Sequence, residues 1–220
     1  MDKEVRSLEF EIRAEETGNE QRAGRLTGMP IVFDQETDLG WYRETIDKDA
    51  LNDCDLRDVR FLVGHDTSSV PLARSRNNNA NSTMQLTVTD RGMEIRVDLD
   101  TENNPRAAEL YSAVKRGDIT GMSFMFIVDR DAWDDIDTDH PKRTILGIKT
   151  VLEVSAVAFP AYPQTEIQAA SEGAELDSVR ASLESAKQKL AEAREAQAEQ
   201  ERRTAVLEWL ENYKKEVSEE

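Results

Sequence analysis

Met84-Gln85-Leu86-Thr87-Val88-Thr89-Asp90-Arg91-Gly92-Met93-Glu94-Ile95-Arg96-Val97 is the stretch whose pattern settles the fold class. Met84, Leu86 and Val88 alternate with polar residues, Asp90-Arg91-Gly92 reverses the chain, and Met93, Ile95 and Val97 alternate again. A period of two places each apolar set on one face of an extended chain, so the stretch predicts a half-buried β-hairpin, with glycine where a positive φ is needed. Leu8, Phe10 and Ile12 alternate in the same way, Gly28 to Phe33 and Asp58 to Val63 read as strands, and two more are expected around Met122 to Val128 and Lys149 to Ala158. An acidic loop from Asp131 to His140 separates the last two. One helix interrupts them: Asn104-Pro105 opens it, Ala108, Leu110, Tyr111 and Val114 give it an apolar side, and Gly117 ends it. Many short strands and few helices predict an α+β, β-barrel-like domain edged by helices over residues 1–170.

Beyond residue 170 the composition changes. All six prolines lie before it, and from Ala174 to Glu220 there is neither proline nor glycine. Leu176, Val179, Leu183, Ala186, Leu190 and Ala193 recur at spacings of three and four, and the series continues through Gln197, Gln200 and Thr204 to Leu207. Strong helix formers in a heptad pattern predict a long C-terminal helix or coiled coil over 171–220. The chain of 220 residues carries a formal charge of −17, which argues against nucleic acid, whose binders offer basic stripes. No run approaches the ~20 apolar residues of a membrane span, and the charged N-terminus lacks a signal-like apolar core, so an intracellular protein is expected. A single cysteine, Cys54, excludes an internal disulfide and a cysteine-rich zinc site. The acidic cluster Asp131, Asp134, Asp135, Asp137 and Asp139 lacks the glycine and terminal glutamate of an EF-hand loop and reads as solvated. No cofactor or metal is expected.

The only histidines are His65 and His140, and histidine is the side chain that takes a proton near neutral pH without special help. His65 follows Phe61-Leu62-Val63-Gly64 at a strand end; it suits a general base, and equally a histidine hydrogen-bonded at a domain edge. Ser123, in Gly121-Met122-Ser123-Phe124-Met125-Phe126, faces away from Met122, Phe124 and Phe126. It is either a nucleophile needing a base within reach or a small residue tolerated in a strand. Glu153 interrupts the apolar run from Val151 to Phe159 and shares a strand face with Ser155. Its carboxylate needs a partner: an imidazole that it orients, or an arginine such as Arg74 or Arg143.

Taken in order, these pieces resemble the prohead protease family of tailed bacteriophages over residues 8 to 167. The resemblance rests on Arg25-Leu26-Thr27-Gly28 with Ile31-Val32-Phe33, Tyr42-Arg43-Glu44-Thr45-Ile46 with Ala50-Leu51, and Gly64-His65-Asp66 with Pro71-Leu72-Ala73-Arg74. It continues through Asp90-Arg91-Gly92-Met93, Lys115 to Phe124, Leu152 to Val157 and Phe159-Pro160-Ala161-Tyr162-Pro163. It implies a fold similar to herpesvirus assemblins and a serine endopeptidase with His65 as base, Ser123 as nucleophile and Glu153 as orienting acid. His140 is the rival for the third role, because assemblins use a histidine there. The implied substrates are the major capsid protein and scaffold segments, cut inside an immature prohead in the host cytoplasm, with self-cleavage. Portal or other prohead components are further partners it allows, and a homo-oligomer is expected, with no nucleic acid and no membrane. The family shows Ser-Phe-Gly-Phe where this chain has Ser123-Phe124-Met125-Phe126; Met125 shares the face of Ser123 and would narrow the site. The competing expectation is an inactive, protease-like assembly protein acting through its coiled-coil tail.

Overall fold

The computed structural model describes residues 3–8, 12–15, 24–158 and 172–218. The chain divides into two compact units, Met1–Ser178 and Val179–Glu220. The boundary expected at residue 170, and the block Phe159 to Pro163, lie outside the described residues.

The first unit is α+β and is built on two sheets. In chain order its elements are β1 (Glu4–Leu8), β2 (Arg13–Glu15), β3 (Gly24–Val32), β4 (Thr37–Asp38), β5 (Arg43–Ile46), β6 (Asp58–Val63), β7 (Ala73–Arg76), β8 (Met84–Thr89) and β9 (Gly92–Leu99). There follow α1 (Pro105–Arg116), β10 (Gly121–Asp134) and β11 (Lys142–Val157). The smaller sheet runs β2-β3-β9-β8 and the larger β1-β10-β11-β5-β4, with β6 also paired to β11 and β7 to β6.

The hairpin read from the sequence is β8–β9, with Thr89 opposite Gly92 across the two-residue loop Asp90-Arg91. Gly92 has φ of 150°, and a Cβ there would stand 2.0 Å from the carbonyl oxygen of Ile31. Its missing side chain thus admits the backbone of β3, which pairs with β9. In α1 the side chain of Asn104 accepts from the N–H of Arg106, Pro105 occupies the first turn, and Gly117 closes the helix at φ 80°. Ala107, Leu110 and Val114 are its buried residues, so Ala107 takes the place expected for Ala108.

Three expectations are corrected. The N-terminal strand through Leu8 and Ile12 is divided: β1 joins the larger sheet and β2 the smaller, with Phe10 outside the described residues. The acidic segment Asp131 to His140 is only partly a loop, since β10 extends to Asp134 opposite Lys142. Across these strands Arg143 donates to Asp131 at 2.7 Å. Finally, no closed barrel forms. The N–H of Ile12 donates to the carbonyl of Thr120 (3.3 Å), that of Asp34 to the carbonyl of Ile46 (2.9 Å) and that of Thr83 to the carbonyl of Arg74 (3.1 Å), and these bonds tie one sheet to the other. Among the described residues no ladder continues across these ties, so the sheets keep their edges.

One apolar cluster draws on both sheets and α1. Leu26 and Ile31 of β3 and Met93 and Val97 of β9 join Met122, Phe124 and Phe126 of β10, Phe61 of β6 and Val154 and Ala156 of β11. Each large side chain buried there is worth about 1.5–3 kcal/mol, which fixes the register of the strands that carry the site. A second buried cluster is ionic. Arg6 of β1 donates to Glu4 (2.7 Å), to Tyr42 (3.2 Å) and to both carboxylate oxygens of Glu44; Arg143 of β11 donates to Glu4 (2.6 Å) and Glu44 (3.2 Å). Alternating side chains put Glu4 and Arg6 on the face of β1 shared with Phe126, over whose ring the Arg6 guanidinium lies at 5.6 Å.

The last element, α2 (Glu172–Ser218), is a helix of 47 residues and so about 70 Å long; it begins within the first unit, and from Val179 onward it belongs to the second. From Ala191 to Leu210 every side chain is exposed, Trp209, Val206 and Leu207 among them. No described helix is long and apolar enough to cross a membrane.

Candidate active site

Three neighbouring strands of the larger sheet bring the predicted residues together. On β10, Met122, Phe124 and Phe126 point into the core, which turns Ser123 and Met125 to the other face. Ser123 lies directly opposite Ser155 of β11, and Met125 opposite Glu153. On the far side of β11, β6 runs parallel, with Leu62 opposite Ser155 and Val63 opposite Ala156. His65 stands two residues beyond.

Two local distortions aim the side chains. The pairing of β10 with β11 passes from Met125–Glu153 to Phe126–Val151, so Leu152 is an extra residue in β11. Val151 and Val154 both reach the core despite being three apart, and the bulge between them leaves Glu153 on the face of Ser155. The second distortion is the turn after β6. Gly64 and His65 both sit at left-handed φ, 60° and 59°, and Asp66 N–H closes the turn onto the Val63 carbonyl at 3.2 Å. A side chain at positive φ costs about 1 kcal/mol, and its surroundings hold it there. Gly64 N–H donates to the Ala156 carbonyl (3.0 Å) and His65 N–H to Ser155 Oγ (3.1 Å). Asp66 is fixed from the other side by Ser68 and Ser69, whose hydroxyls bond its carboxylate and hold its pKa down at about 2.

The turn folds the imidazole back over the sheet. Its Nε2 lies 2.6 Å from Ser123 Oγ, and its Nδ1 2.5 Å from Glu153 Oε1. The other carboxylate oxygen of Glu153 accepts from Ser155 Oγ at 2.6 Å. A carboxylate at Nδ1 selects the tautomer with its proton there, leaving Nε2 a lone pair toward the serine hydroxyl. Ser123 Oγ is also 2.8 Å from the main-chain carbonyl of Arg6, so its proton has two acceptors within reach. Ser123, Ser155 and Glu153 are buried and His65 is partly exposed. Such an arrangement can take the proton from a hydroxyl as the oxygen attacks a carbonyl, and return it to a leaving group.

The other candidates are elsewhere engaged. The ring of His140 faces Asp38 at 3.6 Å, while the Nδ1 of His65 faces Glu153. Arg74 pairs with Asp58 (2.6 Å), and the partners of Arg143 are Glu4, Glu44 and Asp131. Neither arginine serves Glu153. Among the described residues no group of three or more His, Cys, Asp or Glu is disposed to hold a metal ion; in the acidic cluster Asp131 bonds Arg143 and Asp135 bonds Arg43. Sequence reasoning missed what Ser155 and the Arg6 carbonyl do here. Ser155 left a signal, as a second polar residue in an apolar run two positions from Glu153. The carbonyl left none, because every residue has one.

A family model described as Caudovirus prohead serine protease matches residues 8–179. No curated protein and no solved structure matches the chain.

Proposed function

The chain belongs to the caudovirus prohead serine protease family, and from that premise we propose that it is a serine endopeptidase whose nucleophile is Ser123. His65 is the general base and Glu153 the acid that orients it. The observation that carries this reading is the unbroken series Ser123 Oγ–His65 Nε2 at 2.6 Å and His65 Nδ1–Glu153 at 2.5 Å. Ser123 Oγ attacks the peptide carbonyl while Nε2 takes its proton; the imidazolium, held by the carboxylate, then protonates the departing amine. Main-chain N–H groups stabilise the oxyanion. Water, deprotonated by the same imidazole, releases the acyl group.

Family membership supports capsid precursors and scaffold segments as substrates, inside the prohead of an infected cell, and self-cleavage as a terminating step. The assemblin-like relationship of the fold belongs to the same proposal, as do a homo-oligomer and a coiled coil formed by α2. One observation favours a second reading, a protease-like assembly protein without turnover: Ser123 is completely buried, so a peptide reaches it only after covering groups move. Co-expressing the chain with a capsid precursor, and mapping cut sites by mass spectrometry, separates the two. The protease reading expects cuts in the precursor or the chain itself that vanish in Ser123→Ala. Intact products, or cuts that persist in that variant, sink it.

A further inference from the structure

We infer that Ser155 is a positioning residue of the site, fixing the ring of His65 through both its backbone and its carboxylate partner; this rests on the reading of His65 as base. One hydroxyl makes both connections. Ser155 Oγ donates to Glu153 Oε2 at 2.6 Å and accepts from the main-chain N–H of His65 at 3.1 Å. It is completely buried.

Each bond acts on a degree of freedom that the chemistry depends on. His65 sits at φ 59° beside Gly64 at φ 60°, and the bond from its N–H to Ser155 is one of those that hold this turn. Relaxation there swings the whole imidazole, because the ring is carried on the strained backbone. The bond to Oε2 leaves Oε1 as the oxygen that faces Nδ1, and so fixes where the ring's proton points. Ser155 also lies opposite Ser123 on β10 and opposite Leu62 on β6. Nucleophile, base and acid are therefore all referred to one strand position, and a serine there supplies the donor and the acceptor together. Alanine removes both, and Ser155→Ala deletes only an oxygen, so the core around it is kept.

The test is proton NMR of the two histidine rings in the full chain, with assignment by His140→Ala. Wild type and Ser123→Ala are expected to show a downfield His65 Nδ1–H resonance in slow exchange with water. In Ser155→Ala that proton should exchange at least about tenfold faster, with the thermal melt within a few degrees of wild type, and cleavage should slow about 10–100-fold. An unchanged exchange rate in Ser155→Ala overturns the role of Ser155 and leaves the assignment of Ser123 and His65 standing. Absence of an Nδ1–H on His65 in the wild type shows that Glu153 does not hold the ring; it overturns the underlying reading, and this inference with it.

Discussion

At the residue scale the site depends on single atoms, and substitutions separate their roles. Ser123→Ala and His65→Ala should each lower cleavage at least about a thousandfold, because a hydroxyl and its base act as one unit, with thermal melts near wild type. Turnover in either variant contradicts the assignment. Glu153→Gln keeps the shape but no longer selects the Nδ1–H tautomer, and should cost about 10²–10⁴ in rate, whereas His140→Ala, which loses only an exposed contact with Asp38, should cost little. The reverse order of damage would give the third role to His140. Cys54 provides an independent check on the packing. Burial pushes its thiol up to about 12, so at pH 8 almost none of it is thiolate. Labelling by a disulfide reagent in the native chain should run at least about a hundredfold slower than after unfolding.

In β1, charged side chains are buried. Glu4 and Arg6 are buried with Glu44 and Arg143, and the main-chain carbonyl of the same Arg6 reaches Ser123 Oγ. Burial alone would raise the carboxyl of Glu44; the Arg6 guanidinium, and then Arg143, outweigh it and leave its pKa below the ordinary value of 4.5. A carboxyl lowered in the folded state stabilises the fold above its ordinary pKa, and that contribution disappears as pH falls through the folded value. The melting temperature should therefore drop as pH falls below about 4.5, and Glu44→Gln should flatten that part of the profile. At neutral pH the same variant should be about 3–5 kcal/mol less stable, since it strips a partner from buried guanidinium groups. An acid limb as steep in Glu44→Gln as in wild type would assign the dependence to other carboxylates.

In the whole molecule, one boundary divides the two-sheet unit from the rest of the chain. Composition places the boundary at residue 170, and the compact units divide after Ser178. We expect chains ending at either position to melt cooperatively and keep the His65 Nδ1–H resonance, with the missing helix changing only recruitment or self-association. Circular dichroism and limited proteolysis check this. A chain ending at 170 that is molten, beside one ending at 178 that is not, moves the boundary into α2. The weak seam of α2, with Ala186, Ala193, Gln197 and Gln200 among its positions, buries little area, so any pairing of tails should dissociate at micromolar concentration.

Much of this was legible in the chain itself, because the signals are local. Alternation marked β8 and β9, Asn104-Pro105 and Gly117 marked the ends of α1, and the loss of proline and glycine marked α2. The same alternation put Ser123 on the face away from Phe124 and Phe126. The juxtaposition of Ser123, His65 and Glu153 was reachable only through family resemblance, because spacing along the chain carries no distance across a sheet. The remaining features are of that non-local kind. The bulge at Leu152 re-aims Glu153, the left-handed turn at His65 folds its ring back over β10, and Ser155 joins the two. The division of the N-terminal strand between two sheets, the two sheets that stop short of a barrel, and the ionic cluster behind β1 are likewise products of pairing between distant segments. Periodicity fixes which way a side chain points from its own backbone; only the packing of one strand against another fixes what it meets.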